Sequence, residues 1–460
     1  MPAAREPVRR PPCVDDPRTI HPHRSCHTHR LEHVLFLWRW VGRGGFGRSW
    51  GGFGREKERS LHVAEIGAYA GPEPTVVAAV SDLLPVLRQR AQETEDNRDV
   101  PADSVKALTE TGFFRLLQPA SYGGLEADPM AFFTAVRMIA SACGSTGWVA
   151  SVLGVHPWQL ALFPVRAQEE VWGADPGTRM SSSYAPTGRA RAVAGGYQLA
   201  GRWSFSSGAA HATWVLLGGI VLGDDNKPVD FCTFLLPASD YTVDDVWDTV
   251  GLRGTGSNDI VVEDAFVPAH RALSFNDVTR LACPGQERNP GPLYRIPYGS
   301  VFTYAITTPV IGMATGAYEA HVAYQRDRVR AAYAGEKAGD DPFGQVHVAE
   351  AASLLDGAWL ALERNMAELM AHACAGQKLP IPLRLRVRRD QVTGTAQAVR
   401  VVDLLFENSG GRALKAGTPL QRFWRDAHAG RLHAINDPER ALSMFGRGEF
   451  GRDVPPGAML

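Results

Sequence analysis

The hydrophobic period of this chain changes twice along its length, and no single packed layer accommodates both periods. From Pro72 onward Val76, Val77, Val80, Leu83, Leu84 and Leu87 recur at helical spacing, the mark of a helix with one apolar face. Further helices are expected over Ala102–Thr111, closed by Gly112 at its C′ position, and over Pro129–Ala142, Trp148–Phe163 and Ala167–Trp172. Tyr122-Gly123-Gly124 and Gly144-Ser145-Thr146-Gly147 read as turns between them. Around Arg179 the period becomes two, with strands expected at Gly196–Phe205, Thr213–Val221, Asp230–Leu236, Tyr241–Val250 and Asn258–Val267. From Thr303 helical patterns return through Arg330, then over Gln345–Ala375, Leu383–Phe406 and Leu420–His433, which suits a bundle. The expected organisation is a helical domain over 70–178, a β-barrel or sandwich over 179–285, a four-helix bundle over 295–448 and a C-terminal tail over 449–460.

Residues 1–65 stand apart. They are rich in Arg, Pro, Gly and His, lack either period, and read as a disordered extension or as a start codon placed too far upstream. Eleven Arg and one Lys against six acids give the first sixty residues a charge of +6, leaving −7 for the other 400 of a chain whose net charge is −1. The folded part is therefore mildly acidic, which argues against nucleic acid as its main partner. Gly42, Gly44 and Gly47 have the spacing of a dinucleotide fingerprint, but a polar, Gly-rich segment follows where an apolar helix is needed. His21, His23, Cys26, His27 and His29 lack a second cluster at zinc spacing, so no metal is expected. The Arg/Gly repeats of Gly42–Gly54 also resemble an RNA-binding tail, which leaves a non-catalytic nucleic-acid binder as a separate reading. Six scattered cysteines without CxxC spacing suggest a reducing cytoplasm, and the apolar stretch Val301–Tyr324 is interrupted by Pro309 and Glu319 rather than built to span a membrane.

One stretch is more specific. Gly251-Leu-Arg-Gly-Thr-Gly-Ser-Asn-Asp-Ile-Val-Val-Glu-Asp-Ala-Phe-Val-Pro268 resembles the β-domain signature of the acyl-CoA dehydrogenase superfamily, whose domain order is also helical, β, helical. Where the dehydrogenases of that superfamily carry a catalytic Glu in a Tyr-Glu-Gly context, this chain reads Gln421-Arg-Phe-Trp-Arg-Asp-Ala-His-Ala-Gly-Arg-Leu-His433-Ala-Ile-Asn-Asp437. Cys143–Trp148, Val155–Trp158, Ser181–Tyr184 and Trp203–Gly208 are similar to blocks of the two-component flavin-dependent monooxygenases that share the fold, with similarity running from about Val76 to Leu460. Arg330–Lys337 and Gln421–Arg431 are most similar to members of that branch that hydroxylate the phenolic A ring of a 9,10-secosteroid in steroid catabolism.

The resemblance implies an oxygenase component that uses reduced flavin and O2, through a C4a-hydroperoxyflavin, to hydroxylate a phenol ortho to its hydroxyl. It implies reduced FMN, with FADH2 as the alternative, a separate NAD(P)H-dependent flavin reductase and a homotetramer. Such chemistry needs a base that favours phenolate, and histidine suits neutral pH. By resemblance His433 is that base, with Asp437 beside it to orient the imidazole. Asn436-Asp437-Pro438-Glu439 also reads as a helix start, and a histidine at a helix end is also explained by the dipole. His156 matches a position near the substrate phenol, though a buried, satisfied histidine between Val155 and Trp158 also explains it, and Ser182 one near the substrate; Trp148, Ser182, Ser183, Tyr184, Phe205, Ser206 and Ser207 match positions against the flavin ring. A flavin phosphate needs positive charge, which Arg328 in the Gln325–Arg330 helix cluster can supply, although a solvated helix face also explains such a charge run; the turn with Ser409, Gly411 and Arg412 matches a second flavin contact. The alternative from the same fold is an acyl-CoA dehydrogenase acting on a thioester.

Overall fold

The computed structural model describes residues 73–330, 335–455 and 458–460. The Gly42–Gly47, His21–His29 and Arg/Gly readings lie outside them, as does part of the Arg330–Lys337 block. The chain divides at His62, and every described residue belongs to the unit Val63–Leu460.

Six helices come first: α1 Glu73–Gln89, α2 Ala91–Asp96, α3 Ala102–Glu110, α4 Pro129–Ala142, α5 Gly144–Leu160 and α6 Val165–Trp172. The Gly144–Gly147 segment expected as a turn is instead the first turn of α5. Small residues are required there by packing: a Cβ on Gly147 would lie 2.3 Å from that of Ala140 on α4. Every residue of α5 is buried, so the helix runs through the core rather than over it.

The strands are β1 Met180–Val193, β2 Gly196–Ser206, β3 Trp214–Leu222, β4 Pro228–Pro237, β5 Thr242–Asp244, β6 Asn258–Pro268 and β7 Ala272–Ser274. They form one seven-stranded sheet in the order β5-β6-β2-β1-β3-β4-β7, antiparallel except for the β1–β3 pair. Alternation decides its two faces. Val215, Leu217, Phe234 and Leu236 join Trp203 and Ile260 in a core belonging to the sheet, whereas Leu216 and Leu235 point into the helical core. The strand expected over Tyr241–Val250 shortens to β5, because the Asn258 side chain takes the backbone N–H groups of Val246 and Trp247 out of any ladder.

After α7 Phe275–Arg280 the long helices follow: α8 Tyr298–Arg326, α9 Pro342–Cys374, α10 Ile381–Ser409, α11 Pro419–Arg431 and α12 Pro438–Glu449. Three helices begin in the same way. Asp128, Asp341 and Asp437 accept N–H bonds from the first turn, and Pro129, Pro342 and Pro438 open the helix with a φ already helical. The helical parts meet the sheet at Gly251, where a Cβ would stand 2.2 Å from the carbonyl oxygen of Arg425 on α11. Next to it, the Leu252 N–H donates to the buried carboxylate of Asp426 at 2.6 Å. The glycine-rich signature is thus a joint between the sheet and the bundle.

Candidate active site

Two expected residues sit on α5, Trp148 and His156, separated by about 12 Å along the axis at the helical rise per residue. At the Trp148 end, the indole N–H donates to Ser207 Oγ at 3.1 Å. Ser207 Oγ lies 2.7 Å from Ser257 Oγ, Ser257 lies 2.6 Å from Thr255 Oγ1, and Thr255 donates to the Leu252 carbonyl at 2.9 Å. An indole only donates and a carbonyl only accepts, so the hydroxyl protons run one way, from Ser207 to Leu252. Ser207 therefore meets a ligand as an acceptor. Phe205, two residues earlier, adopts φ 70° and is 66% exposed, with its ring edge-on to Trp247 at 5.9 Å.

His433 also packs on Trp148, ring centroids 6.0 Å apart and planes inclined by 54°. It precedes the short 3-10 turn Ala434–Asn436, and its Nδ1 accepts the Ile435 N–H at 3.2 Å. Burial lowers its pKa to about 4, so the ring is neutral near pH 7. An acceptor at Nδ1 places the single proton of a neutral imidazole on Nε2, and no described residue bonds that nitrogen. Among the described residues no hydrogen bond joins His433 to Asp437. Asp437 caps α12 instead, accepting from Glu439 N at 3.0 Å and pairing with Arg440 at 3.3 Å. The carboxylate–imidazole pair implied by the resemblance is not formed, because backbone N–H groups at a helix start compete for the same oxygens.

The His156 end is aromatic. Phe302 lies parallel to its ring at 6.4 Å, and Tyr184 and Tyr298 pack on Phe302 at 5.1 and 5.0 Å. His156 is fully buried, its Nδ1 is 3.5 Å from the Tyr184 hydroxyl, and its Nε2 has no partner among the described residues. Burial pushes its pKa down to about 3. Tyr184 donates to Gln159, and burial, against the hydroxyls of Ser182 and Tyr298, raises its phenol well above the usual range. Tyr298, Phe302 and Gln159 were not identified from sequence; Tyr298 and Phe302 are one helical turn apart on α8, a spacing any core helix has.

Ser183 and Ser206 hold the sheet together: Ser183 donates to the Ser204 carbonyl at 2.7 Å, and Ser206 bonds Ser181 at 3.1 Å. The remaining expected residues form a separate group. Arg328 donates to the Ser409 carbonyl at 2.7 Å, Ser409 Oγ bonds His321 at 2.8 Å, and Gly411 opens the turn that carries Arg412. Ser409 and Arg412 line a cavity of about 570 Å³ together with Arg88, Cys143, Tyr324 and Arg422.

The Trp148 end suits a flavin ring: Trp148 offers a flat wall and the Ser207 chain an oriented acceptor. At the other end of α5 the Nε2 of His156, which bonds no described residue, is polar capacity that a ligand could use.

Known proteins share this chain's sequence and fold. Residues 75–175 match the family model for the acyl-CoA dehydrogenase N-terminal domain, and residues 304–438 that for the C-terminal domain. The chain is 60% identical over 372 residues to the flavin-dependent monooxygenase, oxygenase subunit HsaA of Rhodococcus jostii (strain RHA1), covering 81% of this chain and 97% of the relative. It is 35% identical over 394 residues to the FADH(2)-dependent resorcinol hydroxylase, oxygenase component, of Rhizobium sp. (strain MTP-10005), covering 84% and 96%. The crystal structure of 3-HSA hydroxylase from Rhodococcus sp. RHA1 superposes with a TM-score of 0.81 at 58% identity, over 84% of this chain and 99% of that one. The chain belongs to the flavin-dependent monooxygenases built on the acyl-CoA dehydrogenase fold, using reduced flavin as its reductant.

Proposed function

We propose that this oxygenase hydroxylates the phenolic A ring of a 9,10-secosteroid ortho to its hydroxyl, with reduced FMN preferred and FADH2 accepted. Bound reduced flavin supplies two electrons and delivers O2; one oxygen atom enters the ring and the other leaves as water. The observation that carries the reading is the convergence of Trp148, the Ser207 hydroxyl and the free Nε2 of His433 at one end of α5. Trp148 walls the flavin ring, Ser207 accepts a hydrogen bond from it, and His433 meets the phenolic oxygen. Ser182 and His156, with the aromatic pocket of Tyr184 and Phe302, complete the substrate site. Asp437 serves the site by fixing the start of α12 directly after His433. Ser409, Gly411, Arg412 and Arg328 hold the flavin phosphate of an adjacent subunit in a homotetramer. A separate NAD(P)H-dependent reductase provides the reduced flavin, as the name of the relative, an oxygenase subunit, supports.

The test mixes the enzyme and anaerobically reduced FMN, or FADH2, with labelled O2 and a phenolic secosteroid. The expected product is a catechol carrying one labelled oxygen, with product lost in His433→Ala. Peroxide without catechol for either flavin, together with turnover of acyl-CoA thioesters, returns the chain to dehydrogenase chemistry.

A further inference from the structure

The turn that carries His433 is fastened to the bundle by a line of polar groups buried between α8, α10 and the turn itself. Asn436 is 2% exposed. Its side-chain amide donates to the Gly430 carbonyl at 2.9 Å, and its side-chain oxygen accepts from Gln391 Nε2 at 2.7 Å. The hydroxyls of Thr307 and Thr395 lie 3.2 and 3.3 Å from the same oxygen, and the Asn436 backbone N–H closes on the His433 carbonyl at 2.8 Å. Asn436 thus grips the chain on both sides of His433.

Chemistry decides the direction of each bond. Arg388 only donates, so Gln391 turns its oxygen to Arg388 and its nitrogen to Asn436. Asn436 must then turn its oxygen to Gln391 and its nitrogen to Gly430. Arg388 also donates to the Ile435 carbonyl at 3.2 Å. It is buried, and among the described residues its Nε has no partner and no carboxylate pairs with it. A buried guanidinium of this kind is a costly way to stabilise a fold; what such a network supplies is one fixed geometry.

The geometry it fixes is the Ile435 N–H on His433 Nδ1. We infer that Asn436 is a positioning residue which, through Gln391 and Arg388, holds the turn so that His433 offers Nε2–H as a donor to the phenolic oxygen. The inference rests on the reading of His433 given above. It changes the fate of one proton. The phenol O–H breaks with its electron pair left on oxygen, the proton goes to water, and the Nε2–H stabilises the phenolate instead of the imidazole taking the proton up.

The experiment compares Asn436→Ala with His433→Ala using reduced flavin, O2 and a phenolic secosteroid, from about pH 5 to about pH 10. In the native enzyme kcat/KM rises with pH toward the ionisation of a phenol, near roughly 10, without an inflection near the ordinary histidine value of about 6.5. Asn436→Ala lowers kcat roughly 10- to 100-fold with KM within about threefold, as misplacement at a reacting centre does. It also gains an inflection near about 6.5 as the freed ring is hydrated. A folded Asn436→Ala with native kcat and pH profile, beside an inactive His433→Ala, overturns the inference. So does a loss of thermal stability with the profile unchanged. An active His433→Ala overturns the reading of His433 itself. Should Asn436→Ala fail to fold, Gln391→Leu, which keeps the side-chain volume, carries the same test one hydrogen bond further out.

Discussion

The rings of Trp148 and His433 meet at 6.0 Å across an angle of 54°, although the two residues lie far apart in the sequence. Gly430 makes this approach possible: a Cβ there would stand 3.0 Å from the indole and 3.0 Å from Val310. Gly430→Ala is therefore expected to displace the indole by a few tenths of an ångström. The predicted result is an activity loss of about 10-fold with a modest fall in Tm. Steady-state assays and a melting curve check it; unchanged kcat with the alanine in place would mean that the indole position is not critical.

His156 carries a buried Nε2 without a partner, which costs about 1–3 kcal/mol. His156→Phe should raise Tm while raising KM for the secosteroid by about 10-fold or more, since a site deprived of its polar contact rejects a polar ligand. A variant with a higher Tm and an unchanged KM would show that this nitrogen never meets the substrate.

Stability should fall on acidification. Burial lowers the pKa of His156 to about 3 and those of His321 and His433 to about 4, all from 6.5. The unfolded chain takes up these protons first, so this stability is complete above pH 6.5 and is lost as the pH falls toward 4. Asp426, raised from 3.8 to about 6 by burial, acts in the opposite sense, its contribution disappearing as the pH rises through 6. The two fully buried histidines, His156 and His321, already outweigh one carboxylate. Fully buried His321 alone is worth on the order of 3 kcal/mol, so Tm should drop steeply between these limits and His321→Gln should flatten the curve. A Tm independent of pH over this window would refute the neutral buried histidines.

Asp437→Ala should cost about 1 kcal/mol through loss of the α12 cap, and Asp437→Ser should restore most of it. Both should keep the native pH profile of kcat. If Asp437→Ser recovers Tm but not kcat, the carboxylate has a role in the chemistry that its capping bonds do not account for.

Much of the architecture was legible because it depends on local physics. The switch from helical to alternating period near Arg179, the Asp437-Pro438 helix start and the Gly251–Ser257 bend each act within a few residues. Gly144–Gly147 misled because its glycines serve the packing of α5 on α4 rather than a turn. Tyr241–Val250 misled because Asn258, remote in sequence, takes its N–H groups.

The sequence by itself determined the order of elements, the family and the identity of Trp148, Ser207 and His433 as residues of interest. Only the tertiary structure decided what those side chains offer a ligand. Which way the Ser207 proton points depends on Ser257, Thr255 and Leu252; which nitrogen of His433 is free depends on Ile435 and, through Asn436, on Gln391 and Arg388. Donor and acceptor roles are settled by partners that folding brings from distant parts of the chain, and no local pattern encodes them.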